Sequence, residues 1–214
     1  MRTTVKITFI ILLALVIGYP LIAQTAKDTK KQITGKSVKQ ARKEAKKFIN
    51  EGFYVAPGAL PLDKQLENAW MKQYEMDDKG LPKYIVESGN SVAESQTAAK
   101  LQANETAKLN LAGEITTSVA ALIENNIANM QLNNADAASV TKTVAGSKNL
   151  IAQELGRTMP LVEIYKKIGK NIEADVRLAY DYQNAIESAK KVIRKQLEEE
   201  TKGIQDKLDG IMKF

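Results

Sequence analysis

The chain has 214 residues, of which 44% are hydrophobic and 26% are charged, and its formal net charge is +6. This is the composition of a globular protein and excludes an intrinsically disordered chain. The chain contains no cysteine and no histidine, which excludes disulfides, Ser-His-Asp and Cys-His nucleophiles and nearly all zinc sites.

The positive charge is concentrated near the N-terminus. Residues 1–47 contain eleven Lys and Arg against two acidic residues, and the rest of the chain contains twenty against twenty-three. A nucleic-acid-binding domain carries its positive charge on the folded domain itself. Because the remainder of this chain is slightly acidic, we predict no nucleic-acid partner.

The first residues have the order of a secretory signal. A basic start, MRTTVK, precedes the apolar run ITFIILLALVIGYPLIA, and small residues follow. We predict a signal peptide over residues 1–23, with cleavage near Ala23 or Gln24, and export to the periplasm or the outer membrane. The alternative is a retained anchor, although the run of about 17 residues is short for a membrane span.

Residues 24–36 are polar and basic without periodicity, so they predict a flexible basic arm. A helix is expected from Ser37, a plausible N-cap, with Val38, Ala41, Ala45 and Phe48 on one face and Lys and Arg opposite. Two interpretations of this helix remain open. It either lies on an anionic membrane or glycan surface, or docks on its own domain through a small, alanine-rich face.

Residues 37–80 form a predicted N-terminal helical extension. After a short strand at 53–55 and the turn Pro57-Gly58, Pro61 opens a second helix. Its apolar stripe includes Leu62, Leu66 and Ala69, and Trp70 and Tyr74 lie beside it. The following DDKG lacks the alternating oxygen ligands of a calcium loop, so it predicts a turn.

Residues 81–214 form the predicted core domain. A strand is expected over 83–93, with a bulge at Gly89, and a long helix over 95–131. That helix exceeds the diameter of the domain, so we expect a bend near Asn125-Asn126 or a protruding end. A second helix is expected over 136–155.

The clearest β pattern covers residues 159–180. Two alternating strands flank a predicted turn at Gly169-Lys170-Asn171, which indicates a hairpin with one buried face and one wet face. The wet face is the candidate exposed binding face, and its residues are Glu163, Tyr165, Glu173, Asp175 and Arg177. Asp181 then caps a long last helix with the stripe Ile186, Ala189, Ile193, Leu197, Ile204, Leu208 and Ile211.

These elements predict an α+β fold. A small antiparallel or mixed sheet is covered on one face by long helices, and a long C-terminal helix follows. Ala99, Ala103 and Ala107 share one face of the long helix. Such small side chains allow close backbone approach, which favours packing of this face on the sheet over the alternative of an oligomer seam.

The strand IVESGNSVAES, the alanine-rich helix AAKLQANETAKLNLAGEI, the charged hairpin and the terminal helix together resemble the Lpp-twenty envelope lipoprotein family of bacteria. The resemblance covers roughly residues 80–195. GFYVAPGALPLDKQLENAW looks like an N-terminal extension of the kind found in gut-bacterial relatives. The resemblance implies an envelope-associated α+β domain without established enzymatic activity, and the chain departs from the family in lacking the lipobox cysteine.

Two functional hypotheses follow. The first is an exported, non-enzymatic envelope protein that binds a protein partner or a cell-wall polymer. The second is a small carbohydrate-acting enzyme that uses the paired carboxylates Glu173 and Asp175, although salt bridges with Arg177 explain this pair more simply. We expect no catalytic residue, cofactor or metal. Peripheral envelope association and homo-oligomerisation through the C-terminal helix are both compatible with the sequence.

Overall fold

The computed structural model describes residues 26–130, 132–200 and 204–214, and describes side chains from residue 35 onward. Within these ranges the chain forms seven α-helices and three β-strands. The helices are α1 (Ala26–Asn50), α2 (Leu62–Gln73), α3 (Gln96–Met130), α4 (Asn134–Gly146), α5 (Lys148–Glu154), α6 (Tyr182–Glu200) and α7 (Leu208–Ile211). The strands are β1 (Tyr84–Ala93), β2 (Met159–Ile168) and β3 (Asn171–Asp181).

The three strands form one antiparallel sheet in the order β1-β3-β2. The last strand in the sequence is therefore the central one, and both earlier strands pair with it. Asp181, at the end of β3, accepts a 3.0 Å hydrogen bond from the Asn184 backbone and caps α6 as predicted. The α+β prediction is confirmed.

The hairpin turn is one residue shorter than predicted. Ile168 pairs directly with Asn171, so Gly169 and Lys170 alone form the loop, and Gly169 has the positive φ of 60° that such tight hairpin loops require. A shift of one residue in register moves every side chain of one strand to the other face. The two apolar sets of the hairpin therefore face opposite sides, and both sides of the sheet need a covering layer.

The first layer consists of α3 with the C-terminal helices. Its core includes Ile85, Tyr165, Val176 and Leu178 of the sheet, together with buried side chains of α3, α4, α5, α6 and α7. The helix α3 runs without interruption through Asn125-Asn126, where a bend was expected, over about 52 Å.

The second layer consists of α1 and α2, which lie on the opposite face of the sheet. Ala41 and Ala45 of α1 and Leu66 of α2 share a core with Val162 and Ile164 of β2. The predicted N-terminal extension is therefore part of the same folded unit as the core, because its apolar residues and those of the hairpin bury one another. A second helical layer was missing from the sequence-based fold.

The alanine stripe of α3 packs on the sheet, as the sequence analysis predicted. Ala99, Ala103 and Ala107 are fully buried, and the backbone of Ala103 and Ala107 lies over Gly89 of β1. A methyl group added to Gly89 would lie 2.2 Å from the Ala103 carbonyl oxygen and 2.4 Å from the Ala107 backbone nitrogen. The predicted bulge at Gly89 was wrong, because β1 pairs with β3 in unbroken register. The glycine is there to admit the helix backbone.

The C-terminal region differs from the single long helix of the prediction. The helix α6 ends at Glu200, and a separate short helix, α7, follows. The carbonyl groups of Ile211 and Lys213 each accept a 3.0 Å hydrogen bond from the amide of Asn126, which ties this segment to the far end of α3. The predicted apolar stripe is buried within the chain, and homo-oligomerisation through the C-terminal helix stays a prediction.

The N-terminal region also differs from its prediction. The helix α1 begins at Ala26, so residues 26–36 are helical and the prediction of a flexible arm was wrong for them. Ser37 lies inside this helix and is not its N-cap. The predicted signal peptide, residues 1–23, lies outside the described residues. Among the helices that the structure describes, none is both long enough and apolar enough to cross a membrane.

Candidate functional site

The five residues predicted to share an exposed face lie on two different faces of the sheet. Tyr165 is opposite Ala174 in the hairpin, whereas Ile164 is opposite Asp175, and residues directly opposite each other share a face. Glu163 and Tyr165 therefore face α3, and Glu173, Asp175 and Arg177 face the α1–α2 layer. The prediction of one wet face was wrong because it assumed the longer turn.

Tyr165 is only 1% exposed, so its predicted exposure was also wrong. Its hydroxyl donates a 2.5 Å hydrogen bond to Glu163, and Lys100 of α3 forms a 2.8 Å ion pair with the other carboxylate oxygen of Glu163. Burial, helped by the neighbouring Glu163 carboxylate, raises the pKa of the Tyr165 hydroxyl above its ordinary value. This cluster fixes α3 on the sheet.

On the other face, Glu44 of α1 connects three elements. One carboxylate oxygen forms a 2.9 Å ion pair with Arg177 of β3, and the other accepts a 2.7 Å hydrogen bond from the indole nitrogen of Trp70 in α2. Both ends of the ion pair are mostly shielded from solvent. Glu44 therefore determines how α1 and α2 sit on the sheet.

The carboxyl group of Asp175 is partly buried near the Glu44–Arg177 ion pair. Burial raises its pKa from 3.8 to about 6, the Glu173 and Glu44 carboxylates add to the increase, and the Arg177 guanidinium opposes it. Folding therefore favours the protonated form of Asp175. The contribution of this group to stability is complete below about pH 4 and is lost as the pH rises through about 6.

Replacement of Asp175 by asparagine is expected to stabilise the protein at pH 7. The neutral amide removes the charge that folding disfavours, which increases the free energy of unfolding by about 1–2 kcal/mol for a group that remains partly hydrated. Urea unfolding at pH 4 and at pH 7 measures this, and the gain should disappear at pH 4. Asp78→Asn, in an exposed turn, is the control. An equal gain at both pH values would contradict the prediction.

The paired carboxylates do not form a cleft with Glu163. Glu173 and Asp175 lie on the sheet face that carries α1 and α2, and Glu163 lies on the other face. A carboxylate-based glycosidase needs its two carboxyl groups on either side of one bound sugar. The arrangement of these three residues therefore lends no support to the carbohydrate-acting enzyme.

A groove between α1 and α2 has a volume of about 910 Å³. Five basic residues line the α1 side: Lys36, Lys39, Arg42, Lys43 and Lys46. The remaining lining residues are Ser37 and Gln40 of α1, Trp70 of α2, and Tyr74 at the end of α2. We call this the α1–α2 groove.

The α1–α2 groove has a strong positive charge. The described residues that line it include no carboxylate, and none of its five cations forms an ion pair within 4.0 Å among the described residues. Lys36, Lys39, Lys43 and Lys46 follow one another at three- and four-residue spacing and so share one helix face about 15 Å long. Such a row attracts an extended anion.

An aromatic pair lies beside this row. The rings of Trp70 and Tyr74, one helical turn apart, stack with centroids 5.8 Å apart and an angle of 14° between their planes. The bond from Trp70 to Glu44 fixes the indole, while Tyr74 is 44% exposed. The hydroxyl of Ser37 is buried and has no hydrogen-bond partner in the part of the chain that the structure describes. The groove thus combines charge, a flat apolar surface and an unsatisfied hydroxyl.

The parts of this groove are visible in the sequence, but their assembly is not. The basic face of α1 and the position of Trp70 and Tyr74 beside the stripe of α2 both follow from local spacing. Their meeting depends on the packing of α1 against α2, which no local pattern in the sequence specifies. The lysine spacing along residues 36–46 was the one available signal.

Comparison of the chain with protein-family models, with curated proteins and with solved structures gives no match. The resemblance to the Lpp-twenty envelope lipoprotein family therefore stays a prediction.

Proposed function

We propose that this chain is an exported, non-enzymatic bacterial envelope protein that binds an anionic cell-wall polymer in the α1–α2 groove. The row of cations along α1 carries the proposal. These side chains are kept at the surface by a helix whose apolar face is occupied by α2, and they have no opposite charge in the groove. Clustered like charges destabilise a fold unless a ligand or solvent compensates them.

An anionic polymer fits the groove better than a small anion. Five cations spread over about 15 Å of helix can contact several acid groups of one chain at once. The alternative ligand is a protein partner with an acidic segment, which carries the same negative charge as the polymer. The aromatic pair favours the polymer, because an acidic peptide needs no flat surface of this kind beside its carboxylates.

Charge reversal on α1 tests the site. The double variant Lys39→Glu/Lys43→Glu should weaken binding of the full chain to polygalacturonate by about tenfold or more, because two attractions become repulsions. Isothermal titration calorimetry at low and moderate salt measures the affinity. The matched control is Lys191→Glu/Lys195→Glu, which makes the same charge change at the same spacing on exposed α6 positions.

The control variant should bind like the parent protein. Equal losses in both variants would indicate an effect of net charge alone and contradict a defined site. A parent protein that binds neither polygalacturonate nor inorganic polyphosphate would contradict the polymer-binding function altogether.

The proposed export rests on the predicted signal peptide and on the resemblance to envelope proteins. N-terminal sequencing of the protein isolated from the envelope fraction of an expressing bacterium tests it. The expected mature chain begins near Gln24, and a chain that begins at Met1 and stays in the cytoplasmic fraction would contradict the export.

A further inference from the structure

We infer that the polymer bound in the α1–α2 groove is an acidic glycan, whose sugar rings lie on Trp70 and Tyr74 while its acid groups contact the lysine row. This inference rests on the proposed function and specifies the class of ligand. It is carried by the aromatic pair and by Ser37, whereas the proposed function is carried by the cations.

The aromatic pair provides a surface that charge alone does not require. The two rings are nearly parallel, and the indole is held from its polar edge by Glu44, which Arg177 holds in turn. A ring fixed in this way loses little freedom on binding. The C–H face of a sugar ring is apolar, so its burial on such a surface adds affinity.

Ser37 supplies the second independent observation. Its side chain lines the groove and is 1% exposed, and its hydroxyl has no hydrogen-bond partner among the described residues. Buried polar groups in folded proteins are almost always hydrogen-bonded. A ligand rich in hydroxyl groups can both donate a hydrogen bond to the Ser37 hydroxyl and accept one from it. A chain of phosphates can only accept one.

The packing of α1 argues against a lipid surface as the ligand. A helix that binds a bilayer inserts its apolar face among the lipids. The apolar face of α1 is already covered, since Ala41 is 0% exposed and Ala45 is 3% exposed and both belong to the core shared with α2 and the sheet. The side of α1 that lines the groove presents basic residues, with Trp70 and Tyr74 beside them.

The test compares ligands that separate charge from rings. Polygalacturonate carries both, inorganic polyphosphate carries charge without rings, and neutral dextran carries rings without charge. Trp70 is the single tryptophan of the chain, so its emission reports occupancy of the groove directly. We expect polygalacturonate to shift this emission at the lowest concentration, polyphosphate to bind more weakly, and dextran to have no effect.

Removal of Tyr74 then isolates the ring contact. Tyr74→Ala should weaken polygalacturonate binding by about fivefold or more and leave polyphosphate binding unchanged. The matched control is Tyr54→Ala, because Tyr54 is similarly exposed at 41% but lies beside Tyr165, with their rings tilted by 37°, and does not line the groove. Thermal unfolding confirms that both variants are folded.

Each outcome separates the two proposals. If Tyr74→Ala leaves both affinities unchanged while charge reversal abolishes them, the protein binds polyanions and the glycan inference is overturned. Tighter binding of a single-stranded oligothymidylate, or of phosphatidylglycerol vesicles, than of polygalacturonate also overturns it. If none of these probes binds, the proposed function fails as well.

Discussion

Replacement of Gly89 by alanine is expected to lower the free energy of unfolding by about 3 kcal/mol or more. The added methyl group would lie 2.2 Å and 2.4 Å from backbone atoms of Ala103 and Ala107. No rotation of a side chain relieves a contact with backbone, so α3 has to move away from β1. For a chain of this size the melting temperature should fall by roughly 6–12 °C.

Gly113→Ala is the matched control for this variant. Gly113 lies within α3, and a methyl group there meets only the flexible end of Lys148 at 3.3 Å. Alanine has a higher helix propensity than glycine by about 1 kcal/mol, so this variant should be as stable as the parent protein or more stable. A melting temperature of Gly89→Ala within 2 °C of the parent, by the scale above, would contradict the close packing of α3 on the sheet.

Arg177→Leu should have the second largest effect, a loss of about 2 kcal/mol at pH 7. Arg177 is the positive partner of Glu44 and opposes the effect of burial on Asp175. Its removal leaves partly buried carboxylates without a counter-charge and loosens the α1–α2 layer. Because protonation of Asp175 removes one of these charges, the loss should be smaller at pH 4.5 than at pH 7.

Chemical denaturation at the two pH values measures both effects. Arg194→Leu is the control, since Arg194 forms ion pairs with Glu198 and Asp209, but its side chain is 46% exposed. Exposed pairs contribute little to stability. Two results would contradict the role of the Glu44–Arg177 ion pair in holding α1 and α2 on the sheet. One is an equal loss of unfolding free energy in the two arginine variants, and the other is a loss in Arg177→Leu at pH 4.5 as large as its loss at pH 7.

The sequence predicted those parts of the fold that depend on local periodicity. The strands β1, β2 and β3, the helix α3 and its alanine packing all follow from spacing along one segment. The turn at Gly169-Lys170 shows the limit of prediction from local periodicity. Residues 169–171 can form a two- or a three-residue loop, and that single difference decides which side chains share a face.

The prediction of one long C-terminal helix was wrong for a related physical reason. Leu197, Ile204 and Leu208 keep helical spacing across the point at which α6 ends, because all of them face the same core. A periodic stripe reports which core the residues face and does not report whether the helix between them is continuous. The α1–α2 groove could not be predicted from periodicity either, because it forms only when two helices that are separate in the sequence pack together.

The position of β3 in the sheet has a consequence for the order of folding. Tyr84 of β1 pairs with Asp181 of β3, and β2 also has β3 as its partner strand. Neither of the two earlier strands can enter the sheet until residues 171–181 have been synthesised, and such long-range pairing slows folding. The sheet therefore assembles only after most of the chain has been synthesised, so α1, α2 and α3 have no complete sheet to pack on before then.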